Sequence, residues 1–284
     1  MNTIELKARA KINLSLDVLS KRSDGYHEVR MIMQTLELHD RVILKEISEG
    51  IEIQCNSPWV PSNNQNIAYK AAELIIRSYG IKAGVSININ KRIPVAAGLA
   101  GGSSNAAAVL KGLNEMFLLG ISEDELMMLG KQIGADVPYC IRGGTMLSEG
   151  IGEILTLLSQ MPKTPVVLVK PKIGVSTAWV YKNLDLENIN QRPETNLLVE
   201  AIGNKDIKGL ASNMVNVLES VTIPKYPIID EIKIKMIKSK ALGSMMSGSG
   251  PTVFGIYEDD ESAQSAWNLL KTDSRWESIL TYTE

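Results

Sequence analysis

The sequence predicts a chain of mixed strands and helices divided into two parts. Three observations carry that reading. Stretches such as 12–18 and 85–90 alternate apolar and polar residues, the period of a half-buried strand. Stretches at 66–79, 122–132 and 226–240 bring apolar residues back at helical spacing. Between the two parts lies Gln160-Met-Pro-Lys-Thr-Pro, the best boundary in the sequence, which splits it into domains of 1–160 and 161–284. A chain of 284 residues buries a real core under either a one-domain or a two-domain parsing.

Taken in order, residues 3–18 read as strand. Ile12, Leu14, Leu16 and Val18 alternate with Lys11, Asn13, Ser15 and Asp17, so the polar set shares the opposite face. An isolated lysine on such a face is ordinarily wet. The Asp24-Gly25 pair marks a turn, and Tyr26-His27 opens an extended segment to Leu38. Tyr and His beside a turn are ordinary strand residues, or they stack on and hydrogen-bond a base; the residues alone leave both open. Val42–Leu44 and Ile51–Ile53 read as two further strands, 57–65 as a loop, and 66–79 as an amphipathic helix. Ser122-Glu-Asp-Glu is a capping box for a helix through Gln132, which Gly134 stops. Asp136 then stands at the edge of the apolar run Val-Pro-Tyr-Cys-Ile. It is either a positioned carboxylate or an acceptor for turn N–H groups. Past the boundary, 166–169 reads as a buried strand. Helices are expected at 176–183, 196–202, 208–218, 226–240 and 262–270. A second glycine-rich turn at 243–252 leads into a strand.

The most informative stretch is 94–105, Pro-Val-Ala-Ala-Gly-Leu-Ala-Gly-Gly-Ser-Ser-Asn, between the strand at 85–90 and a helix read from Ala106 onward. Gly98, Gly101 and Gly102 put three glycines into five residues, with Ser103 and Ser104 at the helix start. Glycines let backbone approach a ligand closely, and a helix N-terminus offers unpaired N–H groups and the positive dipole end. Together they form an anion site whose commonest occupant is phosphate, although a tight turn that binds nothing uses the same residues more sparingly. It is neither a P-loop, since no Lys follows the glycines, nor a Gly-x-Gly-x-x-Gly fingerprint.

Composition excludes several classes. A net charge of −2 implies no broad basic surface and no nucleic-acid partner. No apolar run is long enough to cross a membrane, and the first residues lack a signal-peptide layout. Cys55 and Cys140 lie in unlike contexts, which fits a reduced, cytoplasmic protein. With two histidines and no Cys/His cluster, no zinc site is expected. No apolar stripe marks a subunit interface.

Three signatures now stand in order: Ala10-Lys-Ile-Asn-Leu, Pro94-x-x-x-Gly-Leu-x-Gly-Gly-Ser-Ser, and Ser247-Gly-Ser-Gly-Pro-Thr. In this order they resemble the three motifs of the GHMP kinases, a family of small-molecule kinases. Arg22-Ser-Asp-Gly-Tyr-His-Glu, Ile133-Gly-Ala-Asp-Val-Pro and Gly174-Val-Ser-Thr are similar to a branch of that family whose acceptor is 4-diphosphocytidyl-2-C-methyl-D-erythritol, an intermediate of non-mevalonate isoprenoid synthesis. The likeness runs from about residue 7 to residue 256.

The resemblance implies an α+β fold of two domains, N-terminal (ATP-binding) and C-terminal, with the active site in the cleft between them. It also implies a left-handed β-α-β crossover, against the usual rule. It implies that Lys11 and Asp136 meet at the acceptor hydroxyl: Asp136 takes the proton, and Lys11 keeps Asp136 ionised and steadies the transferring charge. ATP is the co-substrate, with Mg²⁺. Its phosphates are wrapped by the peptide running from Pro94, Val95, Ala96 and Ala97 through Gly98, Leu99 and Ala100 to Gly101, Gly102, Ser103 and Ser104. Ser104 reaches the metal, and Asn66 lies near the adenine. His27 reads the cytosine edge beside Tyr26, Tyr181 is the second stacking aromatic, Asn13 binds the acceptor chain, and Gly248, Ser249 and Gly250 flank the acceptor end. Arg9, Ala96, Ala97 and the Asn196-Leu197 pair depart from the family pattern without removing a chemical group. Relatives acting on homoserine, mevalonate or a sugar need no cytosine site, so Tyr26-His27 argues against them. A decarboxylase of the same superfamily predicts CO₂ release, and a non-catalytic nucleotide binder needs no base.

Overall fold

The structure is a computed structural model and describes residues 2–284. Contacts divide the chain into two compact units. The first holds the residues up to Ala10 together with Leu38–Val95 and Ala100–Gly143. The second holds Lys11–Glu37, Ala96–Leu99 and Gly144–Glu284. The units therefore interleave along the chain.

β1 (Thr3–Lys21) and β2 (His27–Ile47) contribute residues to both units. In the first unit follow β3 (Ile51–Cys55), α1 (Ile67–Tyr79), β4 (Gly84–Asn90), α2 (Gly101–Met116), α3 (Glu123–Lys131) and α4 (Val137–Arg142). The Arg41–Ile47 half of β2 pairs antiparallel with β4, and β3 pairs parallel with β4, so β3-α1-β4 is a βαβ unit. Its core joins Val42, Leu44, Ile87 and Ile89 of the strands to Ala71 and Ile75 of α1 and Ala107 and Leu110 of α2. Gly112 lets α2 lie close, since a Cβ there would stand 2.5 Å from Leu44 Cδ1. The capping box of α3 forms as predicted: Ser122 Oγ accepts from Glu125 N–H while Glu125 accepts from Ser122 N–H.

In the second unit, β5 (Thr145–Glu149) pairs with Met31–Gln34 of β2 and with β6 (Ile154–Leu157). Next come β7 (Pro165–Pro171), α5 (Thr177–Lys182), α6 (Thr195–Gly203), α7 (Ile207–Ser212), α8 (Glu219–Lys225) and α9 (Ile228–Lys238). The chain closes with β8 (Gly243–Met246), β9 (Val253–Ile256), α10 (Asp260–Leu270) and β10 (Trp276–Tyr282). These strands form an antiparallel sheet in the order β10-β7-β9-β8. The run Val166–Val169 is buried at its centre, beneath α9 and α10.

The structure corrects several sequence readings. Val42–Leu44 is not a separate strand but the second half of an unbroken β2. The apolar run at 137–141, given no element from its sequence, falls in the helix α4, because a proline in the first turn needs no N–H and is preset for helical φ. The helix read over 208–218 stops at Ser212, and Asn216 instead bridges to Leu16 of β1. The helix after the glycine loop begins at Gly101, ahead of Ala106. Among the described residues, no helix is long and apolar enough to cross a membrane.

Candidate active site

In the second unit the polar face of β1 is the surprise. Lys11, Asn13, Ser15 and Asp17 are all buried, like the apolar set on the other face. Burial demands partners. Ser15 Oγ accepts from Ile32 N–H, Asp17 accepts from Arg192 Nη1 at 2.6 Å, and Asn13 Nδ2 donates to Met31 Sδ. Lys11 is the exception. The residue is 5% exposed, its ammonium donates to Asn13 Oδ1 at 2.7 Å, and among the described residues it has no carboxylate.

Two loops close on this pair. Lys11 N–H donates to Leu99 O, which ties Ala96–Leu99 to β1. Ser247 Oγ donates to Gly98 O at 3.0 Å. A Cβ at Gly98 would lie 2.3 Å from Ser247 O, and φ there is +75°, so space and conformation both require glycine. At Gly248 a Cβ would stand 3.7 Å from Lys11 Nζ and 3.6 Å from Asn13 Oδ1, which puts this glycine at the wall of the lysine site. Ser249 Oγ is 2.7 Å from Thr177 Oγ1, at the start of α5.

The sequence reading missed what holds this turn. Asn216 Nδ2 donates to both Met246 O and Gly248 O, and Glu219 Oε1 accepts from Met246 N–H. Neither residue sits in a motif, and a buried Asn inside a helical-looking stretch gave no local signal.

His27 opens β2 and Tyr181 lies on α5. Their rings come together at a centroid distance of 5.1 Å and a tilt of 38°. Burial, with Lys21 adding repulsion, holds the His27 imidazole below its ordinary pKa, so it is neutral at neutral pH. Tyr26 is 59% exposed, with its N–H fastened to Asp24 Oδ1.

In the first unit, α2 starts without a cap. Its N-cap residue is Ala100, at φ +55°, which offers no side-chain acceptor, and no acidic residue occupies the first turn. The contrast with α3, which has a capping box and three first-turn acids, shows that the omission is local. Ala96 at φ +51° and Ala100 hold left-handed conformations unfavourable for alanine. Backbone strain of that kind persists where a binding loop requires it. The N–H groups of Gly101, Gly102 and Ser103, in the first turn, have no side-chain cap among the described residues.

Other predicted residues have structural work. Ser104 is buried, and its hydroxyl donates to Arg9 O at 2.5 Å, so it ties α2 to β1. Asn66 caps α1: its Oδ1 accepts from Ala68 N–H and its Nδ2 holds Pro61 O. Asp136 is half-buried at the N-cap of α4 and makes no cap hydrogen bond, so its carboxylate is not consumed by the turn. Among the described residues, no group of three or more His, Cys, Asp or Glu side chains could hold a metal ion.

The second unit thus holds a buried ammonium without a carboxylate partner among the described residues, and the first holds an uncapped helix start. Residues 66–144 match the family described as "GHMP kinases N terminal domain", and residues 198–272 match "GHMP kinases C terminal". A "4-diphosphocytidyl-2-C-methyl-D-erythritol kinase" of Acetivibrio thermocellus is 60% identical over 283 residues, covering 100% of both chains. A protein of the same name from Alkaliphilus metalliredigens is 54% identical over 95% of this chain and 93% of its own. The crystal structure of a 4-(cytidine 5'-diphospho)-2C-methyl-D-erythritol kinase superposes with a TM-score of 0.86 at 32% identity, covering 99% of each chain. Homoserine kinase from Cytophaga hutchinsonii, at 18% identity and a TM-score of 0.79, shares the fold. The chain belongs to the GHMP kinases, and within them to the family of 4-diphosphocytidyl-2-C-methyl-D-erythritol kinases.

Proposed function

We propose that this protein transfers the γ-phosphoryl group of ATP to the 2-hydroxyl of 4-diphosphocytidyl-2-C-methyl-D-erythritol, a step in isoprenoid precursor synthesis. The uncapped start of α2 after the strained loop carries the nucleotide half of this reading: it supplies backbone N–H groups and a helix dipole where triphosphate charge can sit. Mg²⁺ enters with ATP as part of the substrate.

Asp136 accepts the hydroxyl proton as the acceptor oxygen bonds to the γ-phosphorus and the bond to ADP breaks. Lys11 neutralises charge on the transferring group from a desolvated position, where its charge acts most strongly. Asn13 orients Lys11 and the acceptor chain, with Gly248, Ser249 and Gly250 at the acceptor end. His27, flanked by Tyr26 and Tyr181, supplies neutral imidazole nitrogens and a ring for cytosine.

The test is ADP release with ATP and Mg²⁺ against two acceptors, the cytidyl compound and the same alcohol phosphate lacking cytidine. Turnover of the cytidyl compound alone is expected. Equal turnover of both would remove His27 and Tyr181 from recognition, and turnover of neither would overturn the proposed reaction.

A further inference from the structure

We propose that Asp40 is a positioning residue for the phosphate loop: a single buried carboxylate that clasps the segment entering the loop to the helix leaving it. This rests on the reading of residues 94–104 as the ATP phosphate site.

Asp40 lies on β2 and is 0% exposed. Its Oδ1 accepts from the backbone N–H groups of Arg92, at 2.7 Å, and Ile93, at 2.8 Å. These are the residues just before Pro94. Its Oδ2 accepts from Asn105 Nδ2, at 2.9 Å, on the first turns of α2 just past Ser104, and pairs with the Lys91 ammonium. Four donors thus converge on one carboxylate, two of them backbone groups of the entering segment and one from the departing helix. Lys91 also donates to Asn105 Oδ1 at 3.3 Å, and a Cβ at Gly101 would lie 2.9 Å from Lys91 Nζ. The ammonium therefore packs directly on the first turn of α2, and glycine is what leaves room for it.

The charge balance explains why both members are present. A lone ammonium at a helix N-terminus opposes the dipole, and a lone buried carboxylate is costly. Together they cancel and leave a rigid clasp. The left-handed alanines at 96 and 100 need such fixed ends, because strained φ values persist only where the surroundings over-determine them. An ion pair serving the core alone would have no reason to place all its other partners on the two stems of one loop.

Three variants test this through the split between the two Michaelis constants. Asn105→Ala releases only the departing helix and keeps Asp40 paired with Lys91. It should raise KM for ATP about tenfold and leave KM for the cytidyl acceptor unchanged. The double variant Asp40→Ala with Lys91→Met releases both stems without stranding a charge, and should raise KM for ATP further. Asp40→Asn with Lys91→Met lets the three hydrogen bonds that do not involve Lys91 re-form, those from Arg92 N–H and Ile93 N–H and, once the Asn105 amide turns over, the one to Asn105, and should return KM for ATP close to wild type. Unchanged KM for ATP in a folded Asn105→Ala protein overturns the clasp, as does an equal rise in both constants. Gly98→Ala separates the two levels. If it raises KM for ATP while Asn105→Ala does not, only the clasp fails. If neither moves it, the loop is not the phosphate site and the clasp falls with it.

Discussion

Replacing Gly98 by alanine tests the loop from its most crowded point. The added methyl would sit 2.3 Å from Ser247 O and 3.2 Å from Gly250 O, both backbone atoms that cannot swing away as a side chain would. Relief to even 3.0 Å requires a displacement of about 0.7 Å between the loop and the 247–250 turn. Two costs add. A left-handed alanine at φ +75° costs about 1–2 kcal/mol, and overpacking against backbone costs about 1–3 kcal/mol. Thermal unfolding should therefore fall by roughly 5–10 °C. The same displacement loosens the Ser247–Gly98 and Lys11–Leu99 hydrogen bonds, so kcat/KM for ATP should drop about 10- to 100-fold. Gly120→Ala is the control: φ is +67° but nothing lies within 4 Å, so it isolates the conformational cost and should leave turnover intact. Coupled ADP release and a melting curve measure both. If Gly98→Ala matches Gly120→Ala in both assays, the close approach of loop and turn has no role in the site.

Three further outcomes follow from the same geometry. Asp136→Asn should lower kcat by roughly 10²–10⁴ with KM for ATP nearly unchanged, since the carboxylate makes no cap bond whose loss would disturb α4; near-normal turnover in steady-state kinetics would remove it as the base. Tyr181→Ala should raise KM for the cytidyl acceptor about tenfold by removing a stacking face worth about 1–3 kcal/mol, while KM for ATP stays put. A titration of acceptor binding should be flat above pH 6.5 and weaken as the pH falls through the lowered pKa of His27. Acceptor binding weakens because protonation takes the acceptor nitrogen of the neutral imidazole; folding stability moves the same way, since a histidine held neutral by the fold loses that stability as pH drops below its unfolded pKa. An acceptor KM indifferent to acid would show that His27 does not touch the base.

Much of the site was legible because it is written in contiguous residues. The glycines of 98–102, the Ser122 capping box and the Asn66 helix start are local devices whose chemistry depends on near neighbours in sequence. What could not be read was long-range. Asp40 is an unremarked Asp in a polar stretch of β2 until folding brings Lys91–Ile93 and Asn105 to it across more than 50 residues. Asn216 looks like a helix residue until its backbone pairs with Leu16. Leu38 to Arg41 breaks the apolar alternation of β2 because Asp40 points inward to donors, and that break is what split one strand into two in the sequence reading. The buried face of Lys11, Asn13, Ser15 and Asp17 imitates a wet one, since periodicity reports polarity and not exposure.

That buried polar face leads to the most exacting prediction. Burying an ammonium costs several kcal/mol unless an anion compensates, and Lys11 has one neutral hydrogen bond and no carboxylate among the described residues. A lysine kept in that condition destabilises the empty protein and becomes favourable when an anionic group arrives. Lys11→Met should show both sides. The hydrogen bond to Asn13 is lost, at about 1.5–3 kcal/mol. The uncompensated charge is also removed, and methionine fills the same narrow volume. The balance predicts a ligand-free protein more stable by about 1–2 kcal/mol, with turnover reduced at least ~100-fold. Denaturant unfolding without nucleotide gives the first quantity and ADP release the second. An inactive variant that is also less stable would mean that Lys11 is part of the structural core after all, and the reading of its ammonium as a waiting counter-charge for phosphate would be wrong.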